Sequence, residues 1–198
     1  MPFDHFDIIA PIYARVTYSA QAKMRELAAL PAKGRLLDIG GGTGRVASAL
    51  LTDVDEVVVA DVSMGMLKQT PRSTLKPVCS HSEHLPFPDN FFERVIMVDA
   101  LHHVIDQPAT AREMFRVLKP GGRIVIEEPD INTFAVKLIA LAEKLLLMRS
   151  HFLSPLQITS LFPADSAHIV SENSSAWVVI SKTPIHNEQS QAAGWNAE

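Results

Sequence analysis

The sequence predicts an α/β domain in which a mostly parallel sheet is covered by helices on both faces. Three observations carry that prediction. Four short runs, 35–39, 56–60, 94–98 and 123–127, are dense in Val, Ile and Leu and bounded by Gly, Asp or Pro. Continuous apolar runs of this length suit strands buried on both sides, as a parallel sheet requires. Helical patterns lie between them, and strand alternating with helix is how βαβ units read in a sequence. The first run also passes directly into a glycine-rich turn, Gly40-Gly41-Gly42-Thr43-Gly44.

In chain order, residues 1–30 carry apolar Phe6, Ile8, Ile9, Ile12 and Tyr13 and are expected to form helices outside the sheet core. A helix over 43–51 follows the glycine turn. Another over 63–68 starts on Ser63 as N-cap and stops before Pro71. The helix expected at 108–118 has Pro108 at its start, Arg112, Arg116 and Lys119 toward its end, and Pro120-Gly121-Gly122 as its stop. Residues 131–148 read as one long helix, apolar on more than one side. Ser154-Pro155 opens a shorter helix through Leu161. Runs 167–171 and 176–182 form strands of an antiparallel hairpin about the polar turn Glu172-Asn173-Ser174-Ser175. From 184 to 198 the chain is polar and aperiodic, which predicts a frayed tail. The whole reads as one domain over 1–183, with a cofactor-type core at 35–128.

Composition narrows the function. The chain has 198 residues, 47% of them hydrophobic, enough for a real core. With 18 Lys+Arg against 22 Asp+Glu it lacks the basic excess of a nucleic-acid binder. Cys79 is the only cysteine, so no intramolecular disulfide points to an oxidising compartment. The acidic start has no basic segment followed by an apolar one, and Lys137, Glu143 and Lys144 interrupt the greasiest stretch, so neither a signal peptide nor a membrane span is expected. The expected location is the cytoplasm.

The glycine turn is the most informative segment. Glycines at 40, 42 and 44 give G-x-G-x-G, whereas the dinucleotide fingerprint would need glycine at 45, where Arg45 stands. The next strand ends in Asp61, and an acid about 20 residues on can accept both hydroxyls of a ribose. The bland alternative is a tight strand-to-helix turn and a helix-capping acid.

At this point the chain resembles the class I S-adenosylmethionine-dependent methyltransferases, especially the group containing the ubiquinone/menaquinone-biosynthesis methyltransferases. The segments that carry the resemblance are 36–44, 57–63, Leu85-Pro86-Phe87-Pro88-Asp89-Asn90-Phe91-Phe92, Ala100-Leu101-His102-His103-Val104 and Arg116-Val117-Leu118-Lys119-Pro120-Gly121-Gly122. They follow the family's order at roughly its spacing. The resemblance implies a Rossmann-like seven-stranded sheet in the order 3-2-1-4-5-7-6, strand 7 antiparallel. It implies S-adenosylmethionine as cofactor, S-adenosylhomocysteine as product and a small-molecule acceptor, for which the apolar stretch 131–148 suggests an apolar or aromatic compound. It also implies that Gly40, Gly41 and Gly42 face the methionine end of the cofactor, that Asp61 holds the ribose, and that Val62 and Met66 flank the adenine. Ser82 and Glu83 would meet the adenine edge, Asp99, Ala100 and Leu101 would pass near the sulfonium, and Tyr13 would belong to an N-terminal lid. The chain departs from the family at His81, where Asp is common; a protonated imidazole cannot accept from the adenine amino group, which predicts weaker or pH-dependent binding. The short 61–79 segment predicts a trimmed second helix and a weak third strand.

Methyl transfer from a sulfonium needs alignment more than acid–base machinery, so a missing catalytic triad is no objection. One of His102 and His103 lines the acceptor pocket and acts as a base, or both are packing residues of the loop. His81 and His84 lack the cysteine or acid cluster that would complete a metal site. Asp106 reads as a helix-start acid and Glu113 as an exposed helix residue. The long helix at 131–148 caps an acceptor pocket, or is core, or is a contact of a homodimer. Two rival functions stand beside the enzyme: a non-catalytic binding protein, and a nicotinamide-dependent oxidoreductase, against which the glycine spacing and the absence of Tyr-x-x-x-Lys both argue.

Overall fold

All seven expected strands form, and the short, half-exposed β3 lies at one edge of the sheet. In the computed structural model, residues 21–133, 136–137, 150–163, 166–172 and 174–184 are described. The strands are β1 (Arg35–Ile39), β2 (Glu56–Asp61), β3 (Lys76–Cys79), β4 (Phe92–Val98), β5 (Leu118–Pro129), β6 (Ser166–Glu172) and β7 (Ser175–Ser181). They make one sheet in the order β3-β2-β1-β4-β5-β7-β6. The pairs from β3 through β5 are parallel, while β7 runs antiparallel to both β5 and β6. This is the expected Rossmann-like topology, hairpin included.

Alternation along the strands divides the core in two. Leu37, Ile39, Val95, Met97, Ile124 and Ile126 pack on one face beneath α4 (Gln107–Val117) and α5 (Pro155–Ser160). Leu36, Val57, Val59, Ile96 and Val125 face the other side, against Met24, Leu27 and Ala28 from the helical stretch α1 (residues 21–27) and its end, Ala47 and Leu50 at α2 (Arg45–Ala49), and Leu67 of α3 (Met64–Leu67). Successive side chains of a strand point to opposite faces, so one short run supplies both layers.

Several boundaries moved for identifiable reasons. Helix α2 starts at Arg45 rather than 43, because Gly44 caps it at φ 78°, in the left-handed region that a helix interior excludes. Helix α4 ends at Val117, because Leu118 is extended and pairs with Phe92 of β4. Residues 131–133 form a turn rather than the first turn of a helix: Asp130 Oδ1 accepts the Asn132 N–H at 2.9 Å, and residues 136–137 are helical. The caps on Ser63, Asp106 and Ser154 form as expected. Helix α3 has four residues and β3 four, the predicted trimming. Of the N-terminal helices expected outside the sheet core, residues 21–27 are helical but pack into it, burying Met24 and Leu27 because their apolar side chains meet the open face of the sheet; residues 1–20 with Tyr13, residues 138–149 of the long helix and the tail from 185 lie outside the described residues.

Candidate functional site

The sheet order reverses direction beside β1, whose neighbours are β2 and β4. Crossovers leave in opposite directions there, and a crevice opens past the carboxyl ends of the strands. A cavity of about 420 Å³ occupies that place. Ile39 and Gly40 from β1, Ala60, Asp61 and Val62 from β2, and Met97, Asp99 and Ala100 from β4 form its floor and sides; Ser80, His81, Ser82 and Glu83 close one end, and His103, Val104 and Ile105 the other.

The floor is backbone because nothing larger fits. A Cβ on Gly40, which has φ 69°, would stand 2.7 Å from the Ala100 Cβ, so the loops after β1 and β4 touch only through glycine. A Cβ on Gly41 would stand 2.5 Å from the Asp38 carboxylate. The turn is pinned to β2 through Asp61, whose Oδ2 accepts the Gly42 N–H at 2.9 Å and whose Oδ1 accepts the Ser63 N–H at 2.7 Å. Each carboxylate oxygen keeps a lone pair for a further donor.

Three acids near this turn are held in unusual surroundings. Asp38 is 1% exposed and neither carboxylate oxygen has a hydrogen-bond partner of normal geometry among the described residues. Burial, with the nearby Asp61 charge adding, pushes it up to about 7; the Ala47 N–H and Arg45 only partly offset this. Glu127, on the same face of the sheet, is also pushed up to about 7, chiefly by burial and then by the charges of Asp99 and Glu128. Glu128, on the opposite face and 4% exposed, accepts the Ala100 and Leu101 N–H groups on Oε1 at 2.9 and 2.6 Å. Its Oε2 lies 2.5 Å from His102 Nδ1.

The end wall hangs on α4. Ser82 Oγ bonds Thr110 Oγ1 at 2.9 Å, and Glu83 Oε1 accepts the Asp106 N–H at 3.3 Å. Glu113 is half-buried rather than exposed, a correction to the sequence reading: it accepts the Leu85 N–H at 2.8 Å and pairs with Arg116. Arg116 in turn donates to the carbonyls of Leu85 and Phe87 and to Asp89, which fixes the segment following the wall.

Of the residues singled out in the sequence, Gly40, Asp61, Val62, Ser82, Glu83, Asp99, Ala100 and His103 line the cavity, and His81 joins them. Gly41 and Gly42 lie behind its surface, and Met66, 45% exposed, stands beside Gly42 rather than in the lining. The Leu101 side chain is turned into the core beneath α4, because the 3-10 turn Leu101–His103 puts Ala100 and His103 on the open side. His102 is 4% exposed, bonded to Glu128 and stacked on Phe152 at 4.4 Å; it packs the loop while His103 faces the opening. The sequence reading passed over Asp38, Ser80 and Glu128. The signal for Asp38 was present: a lone acid inside the apolar run Leu36-Leu37-Asp38-Ile39 has to be buried. Ser80 Oγ, also buried without a partner among the described residues, gave no such signal.

Residues 37–126 match the family described as methyltransferase domain. A ubiquinone/menaquinone biosynthesis C-methyltransferase of Coxiella burnetii is 41% identical over 112 residues, covering 51% of this chain and 45% of that protein. The protein of the same name from Pseudomonas putida is 40% identical over 114 residues, covering 52% and 44%. The chain thus spans about half the length of the curated relatives it matches. Among solved structures, the YcgJ protein of Bacillus subtilis superposes with a TM-score of 0.67 at 24% identity, covering 79% of this chain and 71% of that one. A Thermotoga maritima S-adenosylmethionine-dependent methyltransferase does so with 0.70 at 19% identity, covering 90% and 98%. The glycine turn pinned to Asp61, the sheet order and these matches agree: over residues 37–126 the chain is similar to methyltransferase domains, and its fold is that of the solved structures it superposes on.

Proposed function

We propose that the chain binds S-adenosylmethionine in the cavity beside β1 and methylates a small apolar molecule in the cytoplasm. The observation that carries this is Asp61, pinned by the Gly42 and Ser63 N–H groups at the tip of β2 with lone pairs to spare. A carboxylate so oriented can take both hydroxyls of a ribose. The fit at the other end is supported by the glycine floor and by Asp38, whose unsatisfied oxygens lie directly behind Gly41. When bound there, the cofactor would supply a methyl group on a positively charged sulfur that leaves readily as a neutral thioether.

The protein's own work is therefore binding and alignment. Asp61 holds the ribose, Ser82, Glu83 and His81 bound the adenine, and Val62 covers it, with Met66 beside Gly42. Gly40, Gly41, Gly42, Asp99, Ala100 and the Leu101 backbone shape the methionine end. His103, with Nδ1 3.4 Å from Ser150 Oγ, lies at the end of the lining beside Val104 and Ile105 and can take a proton from an acceptor. Val104 and Ile105 give that end an apolar wall.

The relatives are named C-methyltransferases of ubiquinone/menaquinone biosynthesis, and for this chain we carry over a carbon atom of an apolar ring as acceptor. A balance of 18 basic against 22 acidic residues supports a small molecule rather than nucleic acid. Among the described residues no helix is long and apolar enough to cross a membrane.

Calorimetric titration with S-adenosylhomocysteine tests the site. Saturable 1:1 binding is expected, weakened about tenfold or more by Asp61→Asn. Labelled methyl offered with quinone-type rings tests the reaction. Equal affinity in the wild type and Asp61→Asn removes the basis of the assignment.

A further inference from the structure

We infer that Glu128, which lies outside the cavity lining, is the positioning residue that holds the β4 side of the cavity in shape before any ligand arrives. This rests on the methyltransferase reading of the cavity. The wall in question, Asp99-Ala100, leaves the end of β4 with Asp99 at φ 52°, a conformation uncommon for a residue with a side chain. Such a kink persists only where its surroundings impose it. Two neighbouring residues of β5 do so. The Glu127 carbonyl accepts the Asp99 N–H at 2.8 Å, and the Glu128 carboxylate takes the next two N–H groups, of Ala100 and Leu101, on a single oxygen.

The carboxylate is itself held from the far side. Its second oxygen meets His102 Nδ1, and that ring is stacked on Phe152 with an interplanar angle of 13°. The His102 carbonyl accepts the His151 N–H at 2.8 Å, and Gln107 Nε2 donates to the carbonyls of Leu101 and His151 at 3.0 and 2.7 Å. The turn is thus fastened at consecutive peptides to β5 below and to residues 151–152 above. A buried carboxylate that satisfies two backbone donors and a ring nitrogen at once leaves all three exposed to penalty when it is removed. The same turn carries Ala100, against which Gly40 closes the floor, so the cavity width depends on Glu128.

Amide hydrogen exchange in the ligand-free protein tests this. The Ala100 and Leu101 amides are expected to exchange about tenfold or more faster in Glu128→Ala, with those of Val95 and Ile96 in β4 unchanged. Glu128→Gln, which retains an acceptor oxygen, is expected to restore the Ala100 and Leu101 amides to within about threefold of wild type. S-adenosylhomocysteine affinity is expected to fall about tenfold in Glu128→Ala and to recover with the Gln variant. Should Glu128→Ala not fold, Glu128→Asp, which draws the carboxylate back by one methylene, is read the same way. Unchanged Ala100 and Leu101 exchange in a folded Ala or Asp variant overturns the inference, and so does unchanged affinity in a variant whose turn is loosened. Failure of S-adenosylhomocysteine to bind the wild type counts against the methyltransferase reading alone, and the exchange result then decides the role of Glu128.

Discussion

Asp38 stands between Leu37 and Ile39 in a buried strand, and both its oxygens lack partners of normal geometry among the described residues. Burial pushes it, and Glu127, up to about 7. A carboxyl raised on folding binds a proton more tightly in the folded than in the unfolded protein. The stability it contributes is fully present below the ordinary carboxylate range and is lost as the pH rises through about 7. The ligand-free protein is therefore expected to lose resistance to urea between about pH 4 and pH 7, and Asp38→Asn to flatten that profile by a few kcal/mol at most. A ligand carrying an ammonium group favours the ionised carboxylate, so S-adenosylhomocysteine affinity should rise over the same interval. An Asp38→Asn protein with the wild-type pH profile for both properties would show that the burial of this acid is without consequence.

At the scale of elements, the segment leading from β3 to β4 has little regular structure of its own and is held by α4. Arg116 makes five hydrogen bonds, two to Glu113, one each to the Leu85 and Phe87 carbonyls and one to Asp89. With the Arg116 side chain 31% exposed, solvent screens part of their worth. Arg116→Ala is expected to cost about 1–2 kcal/mol in chemical denaturation. It is also expected to speed exchange at Leu85, whose N–H is held by the Glu113 partner. A loss of stability with Leu85 exchange unaltered would mean that α4 itself, and not the clamp, had been weakened. The shorter α5 is more self-sufficient: Ser154 and Gln157 cap it reciprocally, Ser154 Oγ accepting the Gln157 N–H at 3.3 Å and Gln157 Oε1 accepting the Ser154 N–H at 2.9 Å.

The whole molecule is a sheet with a core on each face and its cavity at the edge where the two crossover directions part. Strands β1, β2 and β4 all contribute to that cavity, so a ligand filling it ties together parts of the chain far apart in sequence. Binding to the folded state alone stabilises by about 2.7 kcal/mol at a hundredfold excess over Kd. For a domain of this size that corresponds to roughly a 5–10 °C rise in Tm. S-adenosylhomocysteine is expected to give such a shift, and NADH none. A shift with NADH alone would move the chain to the oxidoreductases.

What the sequence determined by itself were features set within a few residues of one another. The apolar runs, the caps on Ser63, Asp106 and Ser154, and the glycine turn followed by Asp61 depend on local propensity and periodicity, and all formed as read. Tertiary structure decided which of two adjacent side chains faces the cavity. Ala100 and His103 face it while Leu101 and His102 do not, because a kink at Asp99 and a 3-10 turn set the phase of the loop, and those are imposed by Glu127 and Glu128 from another strand. Periodicity ends where regular structure ends, so the phase of a loop belongs to its distant partners. The same holds for Glu128, whose partners Ala100, Leu101 and His102 lie on the neighbouring strand's loop: nothing beside it in the chain announces a burial that only sheet register creates.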